Sequence, residues 1–91
     1  MGRPSDPRAH LQELRSGIDR VDAELLRLLN ERARLALGVG EIKKEQGAAF
    51  YAPGREEDLV RRLEERNPGP FPTSAIRPVW KEIISASLSL E

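Results

Sequence analysis

A small set of charged and polar residues stands where a helical chain would otherwise place leucine. From Leu11, steps of three and four residues give Leu11, Leu14, Ile18, Val21, Leu25, Leu28, Arg32, Leu35, Val39 and Ile42. Nine of these ten positions are aliphatic, and the spacing puts them on one stripe of one long helix. The exception, Arg32, carries a guanidinium that stays charged at any physiological pH. A buried charge without a partner costs several kcal/mol, so Arg32 calls for an anion, supplied by the protein or by a ligand. Lys43 follows eleven residues later, three turns on and within about 20° of the same face.

Other polar groups join them. The inward stripe of the last helix reads Ile76, Trp80, Ile83 and Ile84, then Ser87, Leu88 and Glu91; Ser87 and Glu91 sit one turn apart on it. In the preceding helix Leu59, Val60 and Leu63 define the inner face, Glu56 lies one turn earlier on it, and Arg55 is its neighbour. Each residue alone has a structural reading. Glu56 and Glu57 suit a helix N-terminus, Lys43-Lys44 suits a C-terminus, and a buried serine can bond its own backbone. Together they point to a polar pocket inside a helical bundle.

The elements that must hold these residues are helices. Met1 to Ser5 form a polar lead-in, and the tail is expected to be flexible as far as residue 7. Asp6-Pro7 is an N-cap followed by proline at the first helical position. The helical pattern runs from about Arg8 to Gln46, with Gly47 as its stop; Gly17, Gly38 and Gly40 weaken it without ending it. Pro53 opens a second helix that lasts to Arg66, and Asn67-Pro68-Gly69-Pro70 breaks the chain. Thr73 or Ser74 caps a third helix running to the end, with an irregular start because Pro78 lies one turn inside it. No stretch alternates with period two. The class is all-α, one long helix and two short ones in a single domain over 8–91.

Composition narrows the function. Fifteen basic and fifteen acidic residues cancel, which leaves no global field for nucleic acid or a membrane surface. There is no cysteine, hence no thiolate nucleophile and no cysteine-based metal site, and His10, the one histidine, reads as a surface residue. No apolar run reaches transmembrane length and no signal peptide is visible, so the expected location is the cytoplasm. A helix of about 38 residues spans roughly 57 Å, and two short helices cannot cover its stripe. A homodimer is expected, with the long helices packed on each other. Arg15 lies some 25 Å up the helix from Arg32 and about 100° round it, too far for one small ligand to touch both in one protomer. An antiparallel pairing would bring Arg15 of one chain to Arg32 of the other, in a pocket shared between subunits.

These residues resemble the all-helical (AroQ-type) chorismate mutases. The resemblance covers Leu11 to Glu91 and rests on four segments in order: L-x-x-L-R-x-x-I-D-x-x-D-x-x-L-L-x-L-L-x-x-R (Leu11 to Arg32), V-G-x-x-K (Val39 to Lys43), P-x-R-E (Pro53 to Glu56) and I-I-x-A-S-L-x-L-E (Ile83 to Glu91). It is strongest to the mutase domain at the front of bifunctional chorismate mutase–prephenate dehydratases, where N-P-G-P (Asn67 to Pro70) is familiar. An excised domain, or one ending where a fused dehydratase would begin, is expected from the stop at Glu91. The family implies an intertwined dimer of three-helix protomers that converts chorismate to prephenate without cofactor or metal, in phenylalanine and tyrosine biosynthesis.

By resemblance, Arg15 and Arg32 from different subunits clamp the two substrate carboxylates. Lys43 donates near the ether oxygen, Arg55 supports the electropositive wall, Glu56 accepts from the ring hydroxyl, and Ser87 donates near a carboxylate. Two positions depart from the family: Ala52 stands where many members have aspartate, and Glu91 where some have glutamine. Two alternatives share parts of this pattern, an isochorismate pyruvate lyase and a non-catalytic helical dimerisation or regulatory module. A glutamate beside an ether oxygen that gains negative charge helps only in its protonated form. Activity should therefore fall as pH rises, and Glu91→Gln should flatten the profile; an unchanged profile in that variant removes Glu91 from the role.

Overall fold

The computed structural model describes residues 6–46 and 54–91. Three α-helices carry the chain: α1 (Pro7–Gln46), α2 (Arg55–Arg66) and α3 (Ile76–Ser87), with 3-10 turns at Thr73–Ala75 and Leu88–Leu90. There is no strand among the described residues. By its backbone packing the chain falls into two units, one ending at Arg32 and one beginning at Ala33.

From Pro7 to Arg32 the first unit is helix. The Asp6 carboxylate accepts a hydrogen bond from the Arg8 amide at 3.0 Å, and the Asp6 carbonyl accepts from the His10 amide at 3.1 Å. This is the side-chain cap that Asp6-Pro7 predicts, and the helix begins at Pro7, where a missing N–H has no helical partner to lose. His10 is only half-exposed, its Nδ1 4.0 Å from the Glu13 carboxylate. Arg27 ties the surface one turn each way, its Nε 3.0 Å from Glu24 and its Nη1 3.2 Å from Glu31. The Arg27 guanidinium holds the Glu24 carboxyl below the usual carboxylate range. Helix α1 continues unbroken through Gly17, Gly38 and Gly40 to Gln46, as expected; Gly47 and Pro53 lie outside the described residues.

The second unit contains the core. Ala36 of α1, Val60 of α2 and Ile76 and Ile84 of α3 are its buried apolar residues, with Leu59, Leu63, Trp80 and Ile83 half-buried around them. Helix α2 starts from Gly54, whose φ of 83° is the left-handed region that favours glycine. Glu56, Glu57 and Asp58 fill its first turn and Arg66 its last, complementing the helix dipole at both ends. It stops at Asn67, held extended before Pro68 as the residue preceding a proline must be.

Asn67 then organises the turn into α3. Its Nδ2 donates to the Phe71 carbonyl at 2.7 Å and to Thr73 Oγ1 at 3.0 Å, and its Oδ1 accepts from the Gly69 amide at 3.2 Å. The Gly69–Pro70 bond is cis. Pro78 falls in the first turn of α3, after a 3-10 start, which accounts for the irregular beginning expected there.

The far end of α3 differs from expectation. The α-form stops at Ser87 instead of running to the end, and the chain tightens into a 3-10 turn. The Leu88 amide donates to the Ser85 carbonyl and the Glu91 amide to the Leu88 carbonyl at 3.3 Å, so carbonyls that a longer α-helix would satisfy find partners three residues on. Ser87 is buried, whereas Leu88 is 57% exposed and Glu91 is exposed.

Helices α2 and α3 are strapped together by Arg77, which donates to Glu57 at 2.7 and 3.1 Å and to Glu64 at 3.0 Å. The guanidinium holds the Glu57 carboxyl below the usual carboxylate range, mainly through those hydrogen bonds. A carboxyl depressed in the folded state contributes stability above its unfolded pKa and loses it as pH falls through the folded value. All three groups meet water, so the effect is modest and salt-sensitive. Arg77→Gln should lower Tm slightly at neutral pH, and thermal scans in acid should bring variant and wild type together.

Candidate functional site

The anion-binding candidates divide between the two units. Arg15 and Arg32 lie in the first, Lys43, Arg55, Glu56, Ser87 and Glu91 in the second. Arg15 is exposed and Arg32 half-buried, so of the two only Arg32 is partly withdrawn from water. An arginine held half out of water, with its charge fixed, suits an acceptor that can meet its planar fork of donors edge on.

In the second unit Lys43 is half-buried in the last turns of α1, with Lys44 beside it at the helix end. Arg55 and Glu56 occupy the first two positions of α2 and are exposed, so Glu56 stands outside the covered face on which its spacing placed it. Gly54 directs that helix start, and Ala52, just before it, lies outside the described residues.

Ser87 is 7% exposed, and its Oγ donates to the Ile83 carbonyl at 2.9 Å. The structural reading of a buried serine is thus realised, on the side chain that resemblance makes a substrate donor. A serine hydroxyl can both donate and accept, which is the chemistry the resemblance asks of it at a carboxylate. Glu91 follows through the 3-10 turn, and its backbone lies against α1 at Gly40, one helical turn before Lys43. That close approach links the end of the chain to the lysine-bearing turn.

The roles of three residues, Gly40, Arg77 and Asn67, are not visible in the sequence. Gly40 appeared there only as a weak helix former, although it stands in V-G-x-x-K one turn before a candidate site residue. Arg77 and Asn67 shape the α2–α3 pair from separations of 13 and 20 residues and across a proline-rich turn, respectively. Among the described residues, no group of three or more His, Cys, Asp or Glu could hold a metal ion. None of the described helices is long and apolar enough to cross a membrane.

An all-helical chain carrying spaced cations on long-helix and short-helix faces is the class this fold defines. Residues 14–91 match the family model of chorismate mutase type II, and the chain belongs to that family. It is 47% identical over 85 residues to the bifunctional chorismate mutase/prephenate dehydratase of Aquifex aeolicus, covering 89% of this chain and 24% of that protein. It is 33% identical over 64 residues to the intracellular chorismate mutase of Mycobacterium tuberculosis, covering 70% of this chain and 61% of that protein. Among solved structures it is similar to chorismate mutase (Form I) from Thermus thermophilus, at 49% identity and a TM-score of 0.79 over 86% of this chain and 98% of that one. The chain spans about a quarter of the length of the bifunctional relatives it matches.

The Ser87 geometry sets a test of its own. The Ile83 carbonyl keeps its helical partner without the hydroxyl, so Ser87→Ala should fold normally and cost at most about 1 kcal/mol in denaturant unfolding. A much larger loss would make the hydroxyl a structural element first.

Proposed function

We propose that this chain is a chorismate mutase that works as a homodimer, with each site assembled from both subunits. The family match over residues 14–91, which includes every cation of the candidate site, is the observation that carries this reading. The reaction is an intramolecular rearrangement: the ether C–O bond of chorismate breaks as a C–C bond forms, and the atoms of substrate and product are the same. No nucleophile or obligatory proton transfer is needed. The site has to fold a flexible dianion into a reactive shape and stabilise negative charge on the departing ether oxygen.

The residues suit that work. Arg15 of one subunit and Arg32 of the other clamp the two carboxylates with planar forks. Lys43 donates to the ether oxygen region, where a lost donor typically costs 10²–10³ in rate. Arg55 adds positive charge, Glu56 accepts from the ring hydroxyl, Ser87 donates near a carboxylate, and Glu91 faces the ether oxygen.

The apolar seam of α1 supports a second copy. Leu14, Ile18, Val21 and Leu25 each expose half or more of their surface, and Leu11 and Leu28 nearly as much. A contiguous aliphatic stripe of this kind marks an association surface. An antiparallel partner helix covers the stripe and carries Arg15 toward the other chain's Arg32. The proposed compartment is the cytoplasm, where chorismate would be met in solution. A dehydratase domain beyond this segment in the whole protein is part of the same proposal, by likeness to the bifunctional relatives.

Loss of chorismate absorbance with purified protein, alongside an Arg32→Ala control shown to sediment as the same dimer, tests the reading. Turnover in the wild type should fall by at least about 10²-fold in the variant. A folded dimer without turnover between acidic and neutral pH overturns the mutase reading, and release of pyruvate from isochorismate would replace it with the lyase. A monomer by sedimentation overturns the shared site.

A further inference from the structure

Of the three glycines in α1, Gly40 alone faces backbone. A Cβ built on Gly17 would meet only the far end of the Arg20 side chain, at 3.6 Å, and one on Gly38 would meet nothing within 4 Å. On Gly40 it would fall on the Leu90 carbonyl oxygen, closer than real Cβ atoms come, with Glu91 Cα and the Glu91 carbonyl oxygen each at 3.2 Å. A flexible side chain could swing aside from such a contact; a peptide unit can only be displaced. The helix thus accepts its least favoured non-proline residue at the one glycine position where the chain end lies directly against it.

The displaced atoms belong to Glu91 and its neighbour. Glu91 leaves the 3-10 turn with its amide bonded to the Leu88 carbonyl, so its backbone is held from one side by that turn and from the other by the bare surface of α1. Lys43 lies three residues beyond Gly40, on the same face one turn along. The same patch of α1 therefore sets the height of the Glu91 backbone and carries the lysine.

We propose that Gly40 is a positioning residue for Glu91: its missing side chain lets the Leu90–Glu91 backbone seat on α1 and fixes the carboxyl beside the turn that bears Lys43. The proposal rests on the mutase reading and assigns it a specificity in geometry. Any side chain at position 40 lifts the segment by about the width of a methyl group. A misplacement of about 1 Å in a reacting constellation can cost about 10²-fold in rate.

The test compares Gly40→Ala, Gly38→Ala, Glu91→Gln and the double variant Gly40→Ala/Glu91→Gln with wild type, each first checked by circular dichroism and sedimentation. Gly40→Ala should fold and dimerise, and lose kcat by about 10²-fold with a smaller change in KM. The double variant should be no slower than Gly40→Ala, because a misplaced carboxyl has nothing further to lose. Gly38→Ala should match wild type. The displacement is also read without substrate: the amide NMR resonances of Leu90 and Glu91 should move in Gly40→Ala and stay in Gly38→Ala. Wild-type kcat in Gly40→Ala, losses that simply add to Glu91→Gln, unmoved resonances, or a Gly40→Ala chain that fails to fold would each overturn the proposal. A wild type that does not turn over chorismate overturns instead the reading on which it rests.

Discussion

Forty residues of continuous helix present more aliphatic surface than this chain can cover. Among the described residues the four buried apolar ones, Ala36, Val60, Ile76 and Ile84, all lie in the unit that begins at Ala33. The seam from Leu11 to Leu28 stays open to solvent. Burying a leucine or isoleucine fully is worth about 1.5–3 kcal/mol; these side chains are already about half covered, so covering the rest of half a dozen on each of two chains contributes on the order of 10 kcal/mol. Association costs an estimated 4–15 kcal/mol in lost freedom. The two are of similar size, so a dimer built on α1 has to use most of the seam, and a partner that met only its middle would not hold. The length of the helix and the proposed subunit arrangement are one constraint.

Within that seam Arg32 is the costly choice. A leucine would add burial, whereas a guanidinium half out of water needs an acceptor to offset its desolvation. The proposed reaction gives the expense a use. A rearrangement that makes no bond to the protein can be accelerated only by holding the substrate in shape and by meeting charge as it develops, and rigid forks on a rigid helix do both. A loop would hold the same cations less closely than helical backbone does.

The elements were legible in the sequence wherever the cause is local. Asp6-Pro7 announces a cap whose hydrogen bond is present, the heptad-like run carries α1 through three glycines, and Asn67-Pro68 ends α2 where the residue before a proline must be extended. What escaped depends on residues distant in sequence. Nothing near Leu88 says that the last turn will tighten, although 3-10 turns are frequent at helix C-termini. Leu88 and Glu91, which their spacing assigned to the inward face, are exposed. Gly40 and Glu91 are separated by half the chain, and a glycine's role in a close approach is invisible until the approaching backbone is known. The candidate site was legible as a list of residue types, and the contacts that orient it were not.

Charge balance sharpens what the site can do. Fifteen cations against fifteen anions leave no net attraction for a dianion, and at physiological ionic strength charges are screened beyond about 8 Å. On the surface, Arg27 is met by Glu24 and Glu31, and Arg77 by Glu57 and Glu64, so these charges cancel within a few ångströms. A substrate would thus be steered little and recognised only on contact. In the proposed site, recognition would then fall on geometry: two forks set for two carboxylates, a lysine for the ether oxygen, and a glutamate whose backbone rests on Gly40. A dianion of another shape would find the same charge and the wrong spacing, which is how a chain of zero net charge can be selective for one.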